Sequence, residues 1–156
     1  MLKVLVVDDL AVVRALIRQQ LAVLGITWVA EAADGADALH RLSREPDIDL
    51  ILCDWHMMPM DGFDFCARVQ ATPYLGGRKI PVVFITGDQR LADADRRRRA
   101  LDSARGLGIV DILVKPFGTE ELRAVLAQCA PSWSRFKAGA PAQEEAVRPV
   151  TPDGET

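Results

Sequence analysis

Cysteine and histidine are scarce in this sequence, and their placement excludes several kinds of chemistry. The three cysteines, Cys53, Cys66 and Cys129, are far apart and lack the spacing of metal ligands. With only two histidines in the chain, no His or Cys set is available for zinc. A chain of 156 residues can bury a core without disulfides, so we expect reduced thiols and a cytoplasmic protein.

Long apolar runs are also missing from the sequence. The N-terminal segment MLKVLVVDDL reaches two acids too early for a signal peptide, and no window is long and apolar enough to span a membrane. The net charge of −3 argues against nucleic acid as a general partner. Apolar residues nevertheless make up 49% of the chain, which favours a globular domain.

Short apolar runs alternate with segments of helical periodicity. The run from Val4 to Val7 is β-branched and predicts a buried strand, and apolar residues then recur at helical spacing from Leu10 to Leu24, before Gly25. This alternation occurs five times and predicts an α/β fold with a doubly wound, parallel, five-stranded sheet. The other predicted strands are 26–32, 49–53, 80–86 and 109–114, and the other predicted helices are 34–45, 62–70, 88–105 and 119–129.

Local signals refine three of these helices. Asp34 is a plausible N-cap of the second helix, and Thr119 is predicted to cap the fifth. The fourth helix carries the basic run Arg96–Arg99, for which Asp93–Arg97 and Asp95–Arg99 would be i,i+4 ion pairs on a solvated surface. The alternative is a basic surface for an acidic partner protein, whereas DNA binding is disfavoured by the neighbouring aspartates.

Polar side chains stand where the predicted strands end. Because ligands of an open parallel sheet bind beyond the carboxyl ends of its strands, these side chains are expected to converge. Clustered carboxylates are suited to Mg²⁺, lysine suits a phosphoryl oxygen, and a carboxylate can itself become an aspartyl-phosphate. The pattern predicts a magnesium-assisted phosphoryl-transfer site formed by Asp8, Asp9, Asp54, Thr86 and Lys115.

Five motifs in this order resemble the receiver domain of two-component response regulators, over about residues 2 to 129. They are VLVVDDLAVVR, EAADGADAL, DWHMMPMDG, VVFITG and LVKPFG, and the first half is especially similar to stand-alone chemotaxis-type regulators. The resemblance implies a flavodoxin-like receiver fold. It also implies that Asp54 accepts a phosphoryl group from a histidine kinase or phosphotransfer protein.

The resemblance further assigns roles around Asp54. Direct Mg²⁺ ligands would be Asp9, Asp54 and the backbone carbonyl of His56, with Asp8 acting through water. Thr86 and Lys115 would contact the phosphoryl oxygens, and the Lys115–Pro116 bond would be cis. The positions of His56 and Asp88 are those that tune aspartyl-phosphate hydrolysis in the family.

Three departures from the family pattern affect these expectations. Ile112 stands where the family often has an aromatic residue, and an isoleucine offers neither the ring nor the hydroxyl on which the usual coupling to the threonine depends. Pro59 comes one position later than in the common pattern, so the loop path after Asp54 is expected to differ slightly while the metal site survives. The segment between Thr86 and Lys115 is also longer than is usual in the family.

We predict a receiver domain over residues 1–130 and a flexible C-terminal tail over 131–156, whose Trp133 and Phe136 either pack on the domain or serve as a docking handle. The expected function is a phosphorylation-dependent binding switch that acts on a partner protein through the fourth helix, fifth strand and fifth helix. The alternatives are a phosphate relay or sink, and a phosphorylation-independent scaffold. Beyond self-dephosphorylation, the protein is not expected to be an enzyme.

Overall fold

The computed structural model describes residues 2–71 and 79–129, in which strands and helices alternate as the sequence predicts. The strands are β1 (Lys3–Val7), β2 (Trp28–Ala32), β3 (Leu50–Asp54), β4 (Val82–Thr86) and β5 (Ile109–Val114). The α-helices are α1 (Ala11–Val23), α2 (Gly35–Arg44), α3 (Gly62–Gln70), α4 (Ala94–Ala104) and α5 (Thr119–Cys129).

All five strands form one parallel sheet in the order β2-β1-β3-β4-β5. The chain moves outward in one direction from β1 to β2 and in the other direction from β3 to β5. The winding therefore reverses between β1 and β3, which opens a crevice at the carboxyl ends of these strands. The predicted doubly wound fold is confirmed, and Asp8 and Asp54 lie at the two strand ends that border the crevice.

Two apolar layers cover the sheet because side chains alternate along each strand. On one face, Val4 and Val6 of β1 belong to a buried cluster that includes Leu21 of α1 and Leu126 of α5. On the other face, Leu5 and Val7 belong to a cluster shared with α2, α3 and α4. Burial on both faces explains the continuous apolar strands β3 and β4, in which every residue is buried.

The predicted ends of the first two helices are confirmed. Gly25 follows α1 with a φ of 86°, a left-handed conformation that favours glycine after a helix. Asp34 caps α2, since its side chain accepts a hydrogen bond from the Asp37 N–H. Gly25 therefore marks where the chain leaves α1 and turns back toward the sheet, and Asp34 marks where it leaves β2 and enters α2.

The predicted helix 88–105 is wrong at its beginning, because two aspartates divide the segment. The Asp88 carboxylate accepts from the Arg90 N–H (3.0 Å) and caps a short 3₁₀ turn, Gln89–Ala92. Asp93 then has extended backbone angles, and its carboxylate accepts from the Arg96 N–H (3.0 Å). Asp93 therefore caps α4, which begins only at Ala94.

The ion pairs of α4 also differ from the prediction. The Asp95 carboxylate pairs with Arg98 (2.7 Å), one residue closer than the predicted Asp95–Arg99 pair. The guanidinium of Arg97 donates to the Leu91 carbonyl (3.1 Å), while the carboxylate of its expected partner Asp93 serves as the helix cap.

Gly118, and not Thr119, occupies the cap position of α5. The Gly118 carbonyl accepts from the Leu122 N–H (3.2 Å), and its N–H donates to the Glu121 side chain (3.1 Å). Thr119 is consequently the first residue of the helix, and its predicted role as the cap is wrong.

Some predictions lie outside the described residues. They concern the tail 131–156 with Trp133 and Phe136, and so the domain boundary at 130 stays a prediction. Within residues 2–71 and 79–129, no helix is long and apolar enough to cross a membrane.

Candidate functional site

The turn after β1 presents two adjacent aspartates in different environments. Asp8 is only 1% exposed, whereas Asp9 is exposed to solvent. The Asp8 N–H donates to the Ala32 carbonyl of β2 (3.1 Å), and the Asp8 carboxylate accepts from the Leu10 N–H (2.9 Å). Asp8 is thus fixed by the backbone on both sides of the turn, and Asp9 faces the solvent beside it.

Asp54 is the last residue of β3, and the sheet continues to hold the chain just beyond it. The Trp55 N–H donates to the Ile85 carbonyl of β4 (2.9 Å). The Trp55 ring packs against Phe63 and Phe84, with ring centroids 5.3 and 5.2 Å apart. The Asp54 carboxylate accepts a long hydrogen bond from the His56 N–H (3.4 Å). An apolar strand and an aromatic cluster therefore hold this largely buried carboxylate in place.

The structure brings the three predicted acids together with the predicted lysine. Carboxylate oxygens of Asp8, Asp9 and Asp54 lie within 4.8 Å of one another. The Lys115 ammonium is 3.5 Å from Asp8 Oδ2 and 3.8 Å from Asp54 Oδ1. Burial raises the pKa of Asp54 above its ordinary value, Asp8 and Asp9 add to the rise, and Lys115 opposes it. One ammonium facing three carboxylates leaves the cluster with surplus negative charge.

This donor set fits Mg²⁺. The cation prefers oxygen ligands, keeps several waters and binds through one or two carboxylates together with phosphate oxygens. The cluster offers carboxylate oxygens from three residues, and the exposed Asp9 leaves it open to solvent. A divalent cation would also relieve the mutual repulsion of the three groups. The residues present therefore suit a magnesium site, as the sequence predicts.

Thr86 is fully buried at the end of β4, and it is bonded to the segments on both sides. Its hydroxyl oxygen accepts from the Asp88 N–H (3.1 Å), and its carbonyl accepts from the Lys115 N–H (2.7 Å). The parallel register of β4 and β5 thus places the predicted hydroxyl and amine on neighbouring strands. Their predicted contacts with a phosphoryl group stay predictions.

Two glutamines that the sequence did not single out hold the loop around Lys115. Gln89 Nε2 donates to the Lys115 carbonyl (2.6 Å), and Gln20 Nε2, from α1, donates to the Phe117 carbonyl (2.9 Å). The Lys115–Pro116 bond is cis, as the resemblance implied. The lysine that faces the acids is therefore fixed through its backbone by residues from two other segments.

The loop after Asp54 reaches α3 through a close approach at Gly62. A Cβ on Gly62 would lie 3.0 Å from the Phe84 ring and 3.1 Å from the Trp55 carbonyl, so only glycine fits here without displacement. The Met58–Pro59 bond is also cis, and Asp61 caps α3 by accepting from the Asp64 N–H (2.8 Å). The acid cluster is assembled despite the shifted proline.

The two predicted tuning positions differ in how free their side chains are. His56 is exposed, and its ring stacks beside Trp55 with centroids 6.1 Å apart. The Asp88 carboxylate accepts from Arg90 Nε (3.0 Å) and Nη2 (2.9 Å), and these bonds lower its pKa to about 2. Arg90 was not anticipated from the sequence. The roles of both positions in hydrolysis stay predictions.

Ile112 is buried in the apolar layer that also contains Phe84, and only 4% of it is exposed. It also borders an open groove of about 490 Å³ between the 3₁₀ turn, α4, β5 and α5. Gln89, Arg97 and Glu121 line this groove as well. The residue at the predicted switch position thus lies between the core and the groove, and it carries neither a ring nor a hydroxyl.

Comparison with known proteins gives the class to which this fold and site belong. Residues 4–127 match the family described as the response regulator receiver domain. The chain therefore belongs to the response regulator receiver domain family, as its motifs predicted. Membership of this family implies phosphorylation-dependent signalling.

Particular relatives are chemotaxis proteins. The chain is 34% identical to chemotaxis protein CheY of Pseudomonas aeruginosa over 122 residues, which cover 78% of this chain and 90% of the relative. It is 32% identical to CheY-3 of Vibrio cholerae over 125 residues, which cover 80% of this chain and 88% of that protein. The predicted similarity to chemotaxis-type regulators is confirmed.

Solved structures agree with this assignment. The Vibrio cholerae chemotaxis response regulator CheY4 has a TM-score of 0.67 at 28% identity, covering 83% of this chain and 98% of that one. The receiver domain of the sensor histidine kinase PA1611 from Pseudomonas aeruginosa has a TM-score of 0.65 at 28% identity, covering 82% of this chain and 96% of that one. The PA1611 structure holds a magnesium ion in its active-site cleft.

Proposed function

We propose that Asp54 accepts a phosphoryl group from a histidine kinase or phosphotransfer protein, with Mg²⁺ as cofactor, and that phosphorylation changes the affinity for a partner protein. The observation that carries this proposal is the convergence of Asp8, Asp9 and Asp54 within 4.8 Å beside Lys115. An ordinary solvated loop does not need three acids beside one partly exposed ammonium, whereas phosphoryl transfer needs charge balance around the nucleophile.

The proposed step makes one bond and breaks one. A carboxylate oxygen of Asp54 bonds to phosphorus while the bond from phosphorus to the donor imidazole nitrogen breaks, and that nitrogen keeps the electron pair. Asp9, Asp54 and the His56 carbonyl would hold Mg²⁺, with Asp8 acting through water, and the bound cation supplies charge neutralisation for the phosphoryl oxygens. Rigid support of Asp54 by β3 and the Trp55 cluster keeps the nucleophile aligned.

Lys115 and Thr86 would contact the transferred group. The Lys115 ammonium already lies between two carboxylates, so it needs little movement to reach a phosphoryl oxygen on Asp54. The Thr86 hydroxyl accepts its hydrogen bond from Asp88, and its own proton is therefore available for donation to a phosphoryl oxygen. Such a contact would draw the β4–α4 segment toward the site.

The groove between α4, β5 and α5 would serve as the output surface. It is bordered by Lys115 and by Gln89, which is bonded to the Lys115 carbonyl. A displacement of Lys115 or of the Thr86 segment would therefore alter the groove wall. Phosphorylation would shift an existing equilibrium by its differential interaction with the two states of this wall.

A second candidate function is a phosphate relay or sink without a conformational output. The buried Ile112 favours this alternative, because it offers neither the ring nor the hydroxyl of an aromatic switch residue. In either case we propose that the protein is a cytoplasmic phosphoryl acceptor, and that any enzymatic activity is limited to its own dephosphorylation.

The test is incubation of the full chain with acetyl phosphate and Mg²⁺, followed by intact-protein mass spectrometry. The expected result is the mass of one added phosphoryl group, which is lost on omission of Mg²⁺ and absent in Asp54→Asn. An unchanged mass of the wild-type chain would reject the proposal.

Titration with beryllofluoride then separates the two functions. A change of partner affinity or of amide spectra around the groove supports the binding switch. Binding of the mimic without either change supports the relay or sink. Partner binding that is unaffected by Asp54→Asn would instead support a phosphorylation-independent scaffold.

A further inference from the structure

We infer that Arg14 is a positioning residue, which holds the β1–α1 turn so that Asp8 and Asp9 can receive the cation. The inference rests on the proposed function of the acid cluster and adds a residue to it. Arg14 lies on α1 outside the set of acids, lysine and threonine assigned above. Its role would be exerted through the backbone of Asp8 and not by contact with the phosphoryl group.

The contacts of Arg14 join three elements. Its Nη1 donates to the Asp8 carbonyl (2.6 Å), at the point where β1 passes into the turn. Its Nε donates to Glu31 Oε1 on β2 (3.0 Å). Only 17% of the Arg14 side chain is exposed, so both bonds are partly shielded from water. A single guanidinium thus ties α1 and β2 to the residue that carries the first acid.

Glu31 is itself held from the far side. Arg18, one helical turn beyond Arg14, reaches Glu31 Oε2 through Nη2 (2.7 Å) and also donates to the Val29 carbonyl (3.0 Å). Arg18 is more exposed than Arg14, and its hydrogen bonds go to Glu31 and Val29 of β2 and not to the acid turn. Both arginines are therefore positively charged and pair with the Glu31 carboxylate, but only Arg14 also bonds to the acid turn.

Arg14 affects Mg²⁺ affinity in two opposite ways, through its charge and through its hydrogen bond. Its positive charge opposes a divalent cation in the neighbouring cluster, so loss of the charge alone would tighten Mg²⁺ binding. Its hydrogen bond to the Asp8 carbonyl fixes the turn that presents the acids, so loss of the bond would weaken Mg²⁺ binding. Residues that orient metal ligands from outside the coordination sphere typically contribute about 10–100-fold to affinity.

The experiment measures the Mg²⁺ dissociation constant of the full chain by calorimetry, together with urea unfolding without Mg²⁺. For Arg14→Gln we expect binding weakened by about tenfold, at the low end of the range for outer residues. For Arg14→Lys we expect weakened binding as well, because an ammonium lacks the fork that reaches Asp8 and Glu31 together. The matched control, Arg18→Gln, removes the same charge from the same carboxylate and should leave the constant within about twofold.

A double variant tests the connection through Glu31. If Glu31 acts by orienting Arg14, Glu31→Gln weakens Mg²⁺ binding in the wild-type background and has no further effect in the Arg14→Gln background. If Glu31 acts on the cation through space, its effect is the same in both backgrounds, and the inference fails.

Unchanged or tighter Mg²⁺ binding in Arg14→Gln would overturn the inference, as would equal weakening in Arg18→Gln. Should Arg14→Gln not fold, Arg14→Lys decides the question by itself, because it retains the charge and most of the bulk. If only the charge of Arg14 mattered, Arg14→Lys would bind Mg²⁺ with wild-type affinity. Failure of the proposed function gives a different result. In that case the wild-type chain itself would not bind Mg²⁺ or accept a phosphoryl group.

Discussion

Charged side chains are arranged in opposite ways at the two ends of the strands. The side of the sheet where the strands begin is called here the amino edge, and the side where they end is called the carboxyl edge. At the amino edge, the Lys3 ammonium pairs with Asp47 and lies 5.0 Å from the centroid of the Trp28 ring. The Lys3 N–H donates to the Asp49 carboxylate (2.8 Å), and the Asp49 N–H donates back to the Lys3 carbonyl (2.8 Å). At the carboxyl edge, one ammonium faces three carboxylates.

The difference distinguishes charged groups that stabilise the fold from charged groups that are held ready to bind a ligand. The amino edge satisfies its acids with a lysine and the backbone, and so it contributes to holding β1 against the start of β3. The carboxyl edge keeps its acids close together although burial raises the pKa of Asp54 and Asp8 and Asp9 raise it further. Such an arrangement is unfavourable in the free protein and becomes favourable when a cation or a phosphoryl group supplies the missing interactions.

The largest expected effect comes from removing one acid at each edge. Asp9→Asn should weaken Mg²⁺ binding by more than about 100-fold, because loss of a direct ligand exceeds the effect of an outer residue. Asp49→Asn at the amino edge should leave Mg²⁺ binding unchanged and lower the free energy of unfolding. Calorimetric titration and urea unfolding measure the two quantities. Equal Mg²⁺ affinity in both variants would remove the distinction between the edges.

Replacing the lysine of each edge should give the next largest effect. Lys115→Met should lower the rate of phosphorylation by acetyl phosphate by about 100-fold, the typical effect of losing one donor to a developing charge. Lys3→Met should leave this rate unchanged and reduce stability by at most about 1 kcal/mol, as for an exposed ion pair. The rates are followed by intact mass at fixed Mg²⁺ concentration. A comparable loss of rate in Lys3→Met would contradict the assignment.

A smaller effect is expected in the pH dependence of stability without Mg²⁺. Burial raises the pKa of Asp54 above its ordinary value of 3.8, with Asp8 and Asp9 adding to the rise and Lys115 opposing it. The stabilisation of the native state by the Asp54 proton is therefore complete below pH 3.8 and is lost as the pH rises through the native pKa.

Asp54→Asn has no such proton to lose. The free energy of unfolding of the wild type, relative to this variant, should therefore fall as the pH rises from the acid range toward neutrality. Urea unfolding of both proteins across this range gives the comparison. A relative stability that is constant or increases with pH would show that crowding at the carboxyl edge does not penalise the ionised Asp54.

The smallest effect is expected at the margin of the carboxyl edge. His56→Ala should change the lifetime of the phosphorylated protein while leaving Mg²⁺ affinity intact, because the His56 side chain is exposed and its backbone carbonyl is kept. Decay of the phosphoryl group, followed by mass spectrometry after removal of the donor, measures the lifetime. A lifetime equal to that of the wild type would leave only the backbone of His56 with a role.

The sequence predicts the sheet and the acid cluster well for one physical reason. Short β-branched runs between helical segments can be buried only in a parallel sheet, and a parallel sheet brings all its carboxyl ends to one edge. Once the strands are known, the convergence of Asp8 and Asp54 follows from topology. It does not depend on the conformation of any long side chain.

The features that the sequence did not predict depend on choices between similar local signals. Asp88 and Asp93 are both good cap residues within one polar segment, and the observed break uses both. The contacts of Arg14, Gln20 and Gln89 depend on long side chains with many rotamers, each reaching a backbone carbonyl that is distant in sequence or lies in a turn. No residue type or spacing marks these partners in advance.

The loop that carries Lys115 is attached by amides to two different sides of the sheet. Gln20 connects it to α1 on one face, and Gln89 connects it to the segment that leads into α4 on the other face. A displacement of the backbone of this loop must therefore stretch or release both attachments together. A single chemical event at one carboxylate can in this way displace both helical layers at once. Surfaces on the two faces of the sheet can then respond to the same event by binding different partners.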